Sequence, residues 1–186
     1  MFSAKDWESM WAPYDHATYQ EVLENIFYDD IVLDIGAGDL RLSREIAQAA
    51  RFVYALEIQG SLIKKAAAES PIPKNLVCIA GDARLVPFPQ GVTVGVLLMR
   101  HCSHFQEYIQ KLQEVGAQRL ITNARWRLGV EVVQLSAHRV EYSRLEIGWY
   151  ACLCGAAGFK QGPVEQVDDE VLDKIIEVKN CPNCSG

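Results

Sequence analysis

The nine residues Val32-Leu33-Asp34-Ile35-Gly36-Ala37-Gly38-Asp39-Leu40 constrain the fold of this chain more than any other stretch. An apolar run closing on an acid passes into two closely spaced glycines and then into a helix-like segment, which reads as buried strand, tight turn and helix. Gly36 and Gly38 let the backbone turn sharply and lie close against a ligand, because a side chain at either position would fill that space. Asp34 adds a carboxylate at the mouth of the turn. A phosphate cradle has little use for this charge, whereas a ligand with a cationic end is matched by it.

A nicotinamide-dinucleotide turn is the nearest alternative. Its fingerprint is Gly-x-Gly-x-x-Gly, with the third glycine needed for close packing of helix on strand. Here the third position is Arg41. Glu57, about 20 residues beyond the turn, suits ribose hydroxyls in either kind of site and does not separate them. Asp34 and Arg41 do, and both weigh against the dinucleotide.

Strand-like and helix-like runs alternate along most of the chain, which predicts a mostly parallel α/β sheet. Helix is expected from Asp15 to Phe27, with Val22, Leu23, Ile26 and Phe27 on one face. Strands are expected at Ile31–Ile35, Phe52–Glu57, Leu76–Ala80, Thr93–Met99 and Arg119–Asn123. Ser61 is placed to cap a helix from Leu62 that ends before Pro71 and Pro73. Ser103 and Gln106 have capping-box spacing ahead of another helix that Gly116 stops. Only six residues, Ala124 to Gly129, then precede a further strand-like run, Val130–Leu135, with which Arg144–Ala151 is expected to pair.

In its acidic-x-Gly-x-Gly turn, its placement of Glu57 and Asp82, and its order of elements over about residues 30–125, the chain resembles the class I S-adenosylmethionine-dependent methyltransferases. The resemblance implies a Rossmann-like methyltransferase sheet with S-adenosylmethionine as cofactor. Asp34 and Gly36 would stand at the methionine end, Gly38 beneath it, Glu57 on the ribose and Asp82 near the adenine amine. The expected layout is a helical segment over 1–29, the methyltransferase-like core over 30–143 and a carboxyl-terminal extension over 144–186. That family usually has a helix and a longer hairpin where this chain runs straight into Val130, so the carboxyl-terminal hairpin is modified.

The fourth strand ends in Met99-Arg100-His101-Cys102-Ser103-His104, at the edge where such sheets bind ligands. It lacks the Asn/Asp-Pro-Pro-aromatic sequence usual in enzymes of that family that methylate base amines. His101 is the candidate base, because its charge changes near neutral pH. A satisfied strand-end histidine is the plain reading of the same residue. Asn123-Ala124-Arg125-Trp126 leaves the fifth strand at this edge too. Trp11-Ala12-Pro13-Tyr14-Asp15-His16 suits either a lid or a packing segment.

Cys152-Leu153-Cys154-Gly155 and Cys181-Pro182-Asn183-Cys184 are the second group with chemistry in it. Four thiolates brought together satisfy tetrahedral zinc and leave no open position, so the expected role is structural. The two pairs resemble the knuckles of a zinc ribbon. Free core cysteines, or a redox pair, are the alternatives, and Ala157-Gly158-Phe159 resembles a segment that follows the last long helix in the methyltransferase family.

With 186 residues, 49% hydrophobic and 23% charged, the chain suits one globular domain with a small appendage. A net charge of -6 argues against general nucleic-acid binding, though a local basic patch for structured RNA is not excluded. No apolar run is long enough to span a membrane, the amino terminus lacks a signal-peptide core, and a cytoplasmic protein with reduced or metal-bound cysteines is expected. Two functions follow: methyl transfer to a small-molecule or protein acceptor, or a methyltransferase-like binding module that uses its cysteine-rich tail to recognise a protein or RNA partner.

Overall fold

The structure is a computed structural model that describes residues 13–100, 102–125 and 129–185. Asp15 starts the first helix, α1 (His16–Leu23), by accepting the Thr18 backbone N–H at 2.8 Å. There follow β1 (Ile31–Ile35), α2 (Arg41–Ala49), β2 (Phe52–Glu57), α3 (Gly60–Glu69), β3 (Leu76–Ala80), β4 (Val94–Leu97), α4 (Phe105–Glu114), β5 (Arg119–Thr122) and β6 (Glu131–Gln134). These six strands form one sheet in the order β3-β2-β1-β4-β5-β6, parallel except for β6. The fold is thus the mostly parallel α/β sheet expected from the alternating pattern.

Alternate strand residues divide the core between two faces. Val32, Val53, Val94, Val96 and Ile121 pack with Tyr19, Val22 and Ile46 on the side of α1 and α2. Leu33, Leu56, Leu97 and Leu120 pack with Phe105, Ile109 and Leu112 of α4 on the other. Apolar residues on both faces explain why the central strands read as continuous hydrophobic runs. Gly95 lets α4 sit close: a Cβ there would lie 2.7 Å from a Leu112 methyl.

Gly116, at φ +82°, ends α4 as expected; its N–H donates to Gln113 and that of Ala117 to Leu112. Three local expectations fail. Helix α3 begins at Gly60 without a side-chain cap, so Ser61 lies inside it. Helix α4 likewise begins without a cap from Ser103. Helix α1 stops at Leu23, and Phe27, 54% exposed, covers the Arg119 guanidinium 4.5 Å from its ring centroid instead of joining the core.

The carboxyl-terminal third differs most from expectation. Strands β7 (Val140–Glu141), β8 (Gly148–Cys152), β9 (Ala157–Lys160) and β10 (Ile175–Lys179) make a second sheet in the order β7-β10-β8-β9, with a short helix α5 (Asp169–Asp173) before β10. The segment Arg144–Ala151 therefore pairs with β9 and β10, not with β6. Its alternation fitted either partner, and only the return of β10 supplies the neighbour that buries it. This sheet begins at Val140, ahead of residue 144. It has its own small core of Leu145, Cys152, Val178 and Cys181. Ala157-Gly158-Phe159 lies in β9, not after a long helix. No described helix is long and apolar enough to cross a membrane.

Candidate functional site

The chain leaves β1 toward β2 and β3 on one side, then returns to β4 on the other, so a crevice opens at the carboxyl ends of β1 and β4. Asp34, next to last in β1, is 4% exposed, and its Oδ2 accepts the hydroxyl of the fully buried Ser43 on α2 at 2.5 Å. Burial pushes the Asp34 carboxyl up to about 6; the Ser43 bond opposes this and the nearby Glu57 charge adds to it. A buried acid so poised is completed by a cation.

Gly36 turns at φ +79°, and a Cβ there would approach Met99 Cε to 3.3 Å. Gly38, at φ +55°, donates its N–H to Glu57 Oε2 at 2.8 Å, while Gln59 N–H donates to Oε1 at 2.8 Å. The Glu57 carboxylate thus holds the turn to the end of β2, with its remaining lone pairs available to a ligand. Leu40 is also left-handed, at φ +66°, and its complete burial offsets the roughly 1–2 kcal/mol of strain.

Around these residues lies a cavity of about 360 Å³ lined by Tyr14, Asp34, Gly36, Gly38, Glu57 and Ile58, with Met99 and Arg100 on the far side. Ile58 is 62% exposed beside Glu57, an apolar surface for a flat ring next to an acceptor for hydroxyls. Tyr14 Oη accepts the Arg100 backbone N–H at 3.3 Å, and the Arg100 guanidinium lies 5.8 Å from the Tyr14 ring centroid. The residues just ahead of α1 therefore form part of the rim. Ser43 and Ile58 were not singled out by sequence, whereas Tyr14 belongs to the segment read there as a lid or a packing segment. Ser43 alone left a trace, as a hydroxyl on the apolar helix face of Leu42 and Ile46.

The structure brings together Asp34, Gly36, Gly38 and Glu57. Asp82 does not line the cavity: it sits in the turn after β3, where hydrogen bonds from Arg84 hold its carboxyl down to about 2. His101 and Trp126 lie outside the described residues, as do Trp11 and Ala12. Cys102 is half-buried and burial pushes its thiol up, which disfavours a nucleophilic thiolate. His104 is partly exposed, 3.7 Å from Glu107.

The four carboxyl-terminal cysteines converge at the end of β8, in the β8–β9 turn and just after β10. Their sulfurs all lie within 4.8 Å of one another, with Cys152–Cys184 and Cys154–Cys181 at 3.4 Å and Cys181–Cys184 at 3.7 Å. Sulfurs bound tetrahedrally to one zinc are separated by about 3.8 Å. Burial pushes the Cys154 and Cys184 thiols up; at Cys152 burial is outweighed by hydrogen bonds, the largest from the Cys154 backbone, and its thiol is held down. The arrangement can hold a metal ion. Gly155 brings this turn against α4, since a Cβ there would lie 3.2 Å from the Phe105 ring.

Arg125, 1% exposed, joins the two sheets: it bonds Glu131 of β6 through Nε at 2.7 Å and Glu177 of β10 through Nη2 at 2.7 Å.

Residues 33–123 match the family described as methyltransferase domain. Over these residues, just under half of the chain, the sequence is similar to that family. Solved structures share its fold. Precorrin-8W decarboxylase from Methanobacterium thermoautotrophicum aligns at 21% identity and a TM-score of 0.51, over 62% of this chain and 66% of that one. Phosphoethanolamine N-methyltransferase 1 of Haemonchus contortus, in complex with phosphoethanolamine and S-adenosylhomocysteine, aligns at 17% and 0.54, over 61% and 26%. A dimethyladenosine transferase from Plasmodium falciparum aligns at 23% and 0.50, over 58% and 41%. The chain spans less than two thirds of each. No curated protein matches it. The family match ends at Asn123, one residue past β5, so the cysteine-bearing sheet lies beyond it.

Proposed function

We propose that the protein binds S-adenosylmethionine in the crevice of β1 and β4 and transfers its methyl group to a small-molecule or protein acceptor. The observation that carries this reading is the buried Asp34 carboxylate beside the Gly36 cradle, whose one side-chain partner among the described residues is the Ser43 hydroxyl and not a cation. When bound, the sulfonium supplies an electrophilic methyl: its carbon–sulfur bond breaks as the acceptor bond forms, sulfur keeps the electron pair and the acceptor loses a proton. Asp34 would hold the cationic amino end, Glu57 would accept from ribose hydroxyls, and Ile58 would cover one face of the base. Gly36 keeps the backbone close enough for those contacts, and Tyr14 with Arg100 narrows the entrance against water. Asp82, hydrogen-bonded to Arg84, is the proposed partner of the adenine amine, and His101 remains the proposed base.

The cysteines complete the proposal. Cys152, Cys154, Cys181 and Cys184 would hold one structural zinc that staples the second sheet, a role supported by four sulfurs lying within 4.8 Å of one another. Such a site suits a cytoplasmic setting, where thiols stay reduced.

Calorimetric titration with S-adenosylmethionine, run beside a nicotinamide dinucleotide, tests the reading. One-to-one binding of the former alone, lost in Asp34→Ala, is expected. Binding of the dinucleotide, or no heat from either, would overturn it. Transfer of labelled methyl to components of a cell extract tests the second step; cofactor binding without transfer would favour the binding module with its cysteine-rich tail.

A further inference from the structure

Among the described residues, three buried side-chain polar atoms lack a hydrogen-bond partner: Asn123 Nδ2, Asn123 Oδ1 and Arg125 Nη1. They belong to one three-residue stretch, which leaves β5 at the ligand-binding edge of the sheet. Asn123 is 4% exposed and Arg125 1%. Leaving such atoms unpaired costs about 1–3 kcal/mol each, so their concentration here calls for an occupant.

The register locates them relative to the cavity. Asp34 is level with Val96 of β4, and Val96 with Ile121 of β5. Two residues further along stand Leu98 and Asn123, each one residue past the end of its strand, and Leu98 packs on the sheet side of Val96 and Ile121. Leu98 lines the cavity, whereas Asn123 and Arg125 are not among its lining residues. Asn123 therefore follows the strand next to β4, on the side away from β2 and Glu57, behind the Leu98 wall of the cavity.

We infer that Asn123 and Arg125 form the recognition site for the methyl acceptor, and that this acceptor carries a neutral planar group with a carbonyl beside an N–H, as in a carboxamide, lactam or imide. The inference rests on the proposed methyl-transfer reading. Asn123 offers a donor and an acceptor side by side, and Arg125 Nη1 adds a further donor. Together they match a carbonyl next to an N–H. A carboxylate is a poorer match, because Arg125 is already neutralised by Glu131 and Glu177, and Glu177 also receives Arg139. An anion would meet an environment with no net positive charge to offer, and its oxygens leave Asn123 Oδ1 unmatched.

The test is nuclear magnetic resonance of the full chain with labelled asparagine side chains. It is titrated with nicotinamide and with 2-pyridone, with benzoate as the control that lacks an N–H, each with and without saturating S-adenosylhomocysteine. The expected result is a saturable shift of the Asn123 amide resonances by the two neutral probes and none by benzoate. Asn123→Leu, and the isosteric Asn123→Asp, should weaken probe binding at least about tenfold while S-adenosylhomocysteine affinity is retained. Unmoved Asn123 resonances at tens of millimolar probe would overturn the inference. So would an Asn123→Leu protein that binds the probes normally and melts higher, which would mean that the amide only holds a trapped water. Failure of S-adenosylhomocysteine to bind strikes at the cofactor reading instead, and the probe titrations without it still decide the acceptor site.

Discussion

The Glu57 carboxylate accepts the Gly38 backbone N–H at 2.8 Å, and this bond joins those from the Gly36 and Ala37 N–H groups to the Leu56 carbonyl in fastening the turn after β1 to the end of β2. Because the other oxygen accepts from Gln59, one side chain sets both walls of the cavity at this end. Glu57→Ala leaves two N–H groups without their partner. We expect a loss of about 1–3 kcal/mol in denaturant unfolding and loss of measurable cofactor binding, with Glu57→Gln milder in both.

Asp34 trades stability for binding. Its pKa in the folded, ligand-free protein is raised from 3.8 to about 6, so the folded state holds a proton that the unfolded chain releases across that window. Stability from this group is therefore present at low pH and falls as pH rises from 3.8 through about 6, with the full cost at neutral pH. Asp34→Asn should stabilise the ligand-free protein at pH 7 by about 1–3 kcal/mol and abolish binding. A cationic ligand binds the ionised form. Wild-type affinity for S-adenosylmethionine should fall about tenfold per pH unit below the Asp34 pKa, read by calorimetry at several pH values.

The cysteine centre predicts one zinc per chain by elemental analysis. Cys181→Ser, which removes a buried ligand, should lose the metal. Amide exchange in β8 and β10 should then accelerate by more than about 100-fold, because the second sheet has little apolar core of its own. Exchange in β1 and β4 should change far less.

Arg125 is buried between sheets, so its partners matter more than a surface pair would. Glu177→Ala leaves the guanidinium with Glu131 alone and should cost about 1–3 kcal/mol in chemical denaturation, discounted for the partial exposure of Glu177. A double-mutant cycle with Glu131→Ala should show coupling, since both acids share one cation.

The first five strands were legible because inner parallel strands are buried on both faces and leave largely apolar runs, a pattern that the half-exposed edge strand β3 shares in sequence, and β1, β2 and β3 match their expected limits. Helix starts were not. Gly60 and Phe105 begin helices without the side-chain caps that Ser61 and Ser103 suggested, because packing against the sheet outweighs a capping bond. The cavity was legible at Asp34 and Glu57, whose spacing is tied to a strand–turn–helix unit. Ile58 carries no local signature, since its role is only to face a space made by other elements, and Tyr14 was legible only as part of the segment ahead of the first helix.

By itself the sequence determined the parallel sheet, the glycine turn with its acid, and the two cysteine pairs, because each is a short-range pattern of residue types at fixed spacing. Tertiary structure alone decided that Cys152 and Cys154 meet Cys181 and Cys184, that Gly148–Cys152 pairs with β10 instead of β6, and that Arg125 reaches across to Glu177. It also decided that Asn123 is buried with its amide unpaired. These relationships join residues 27 to 52 positions apart or depend on which strand returns beside another. Local propensity carries no record of such distant choices; burial and pairing across the whole chain make them.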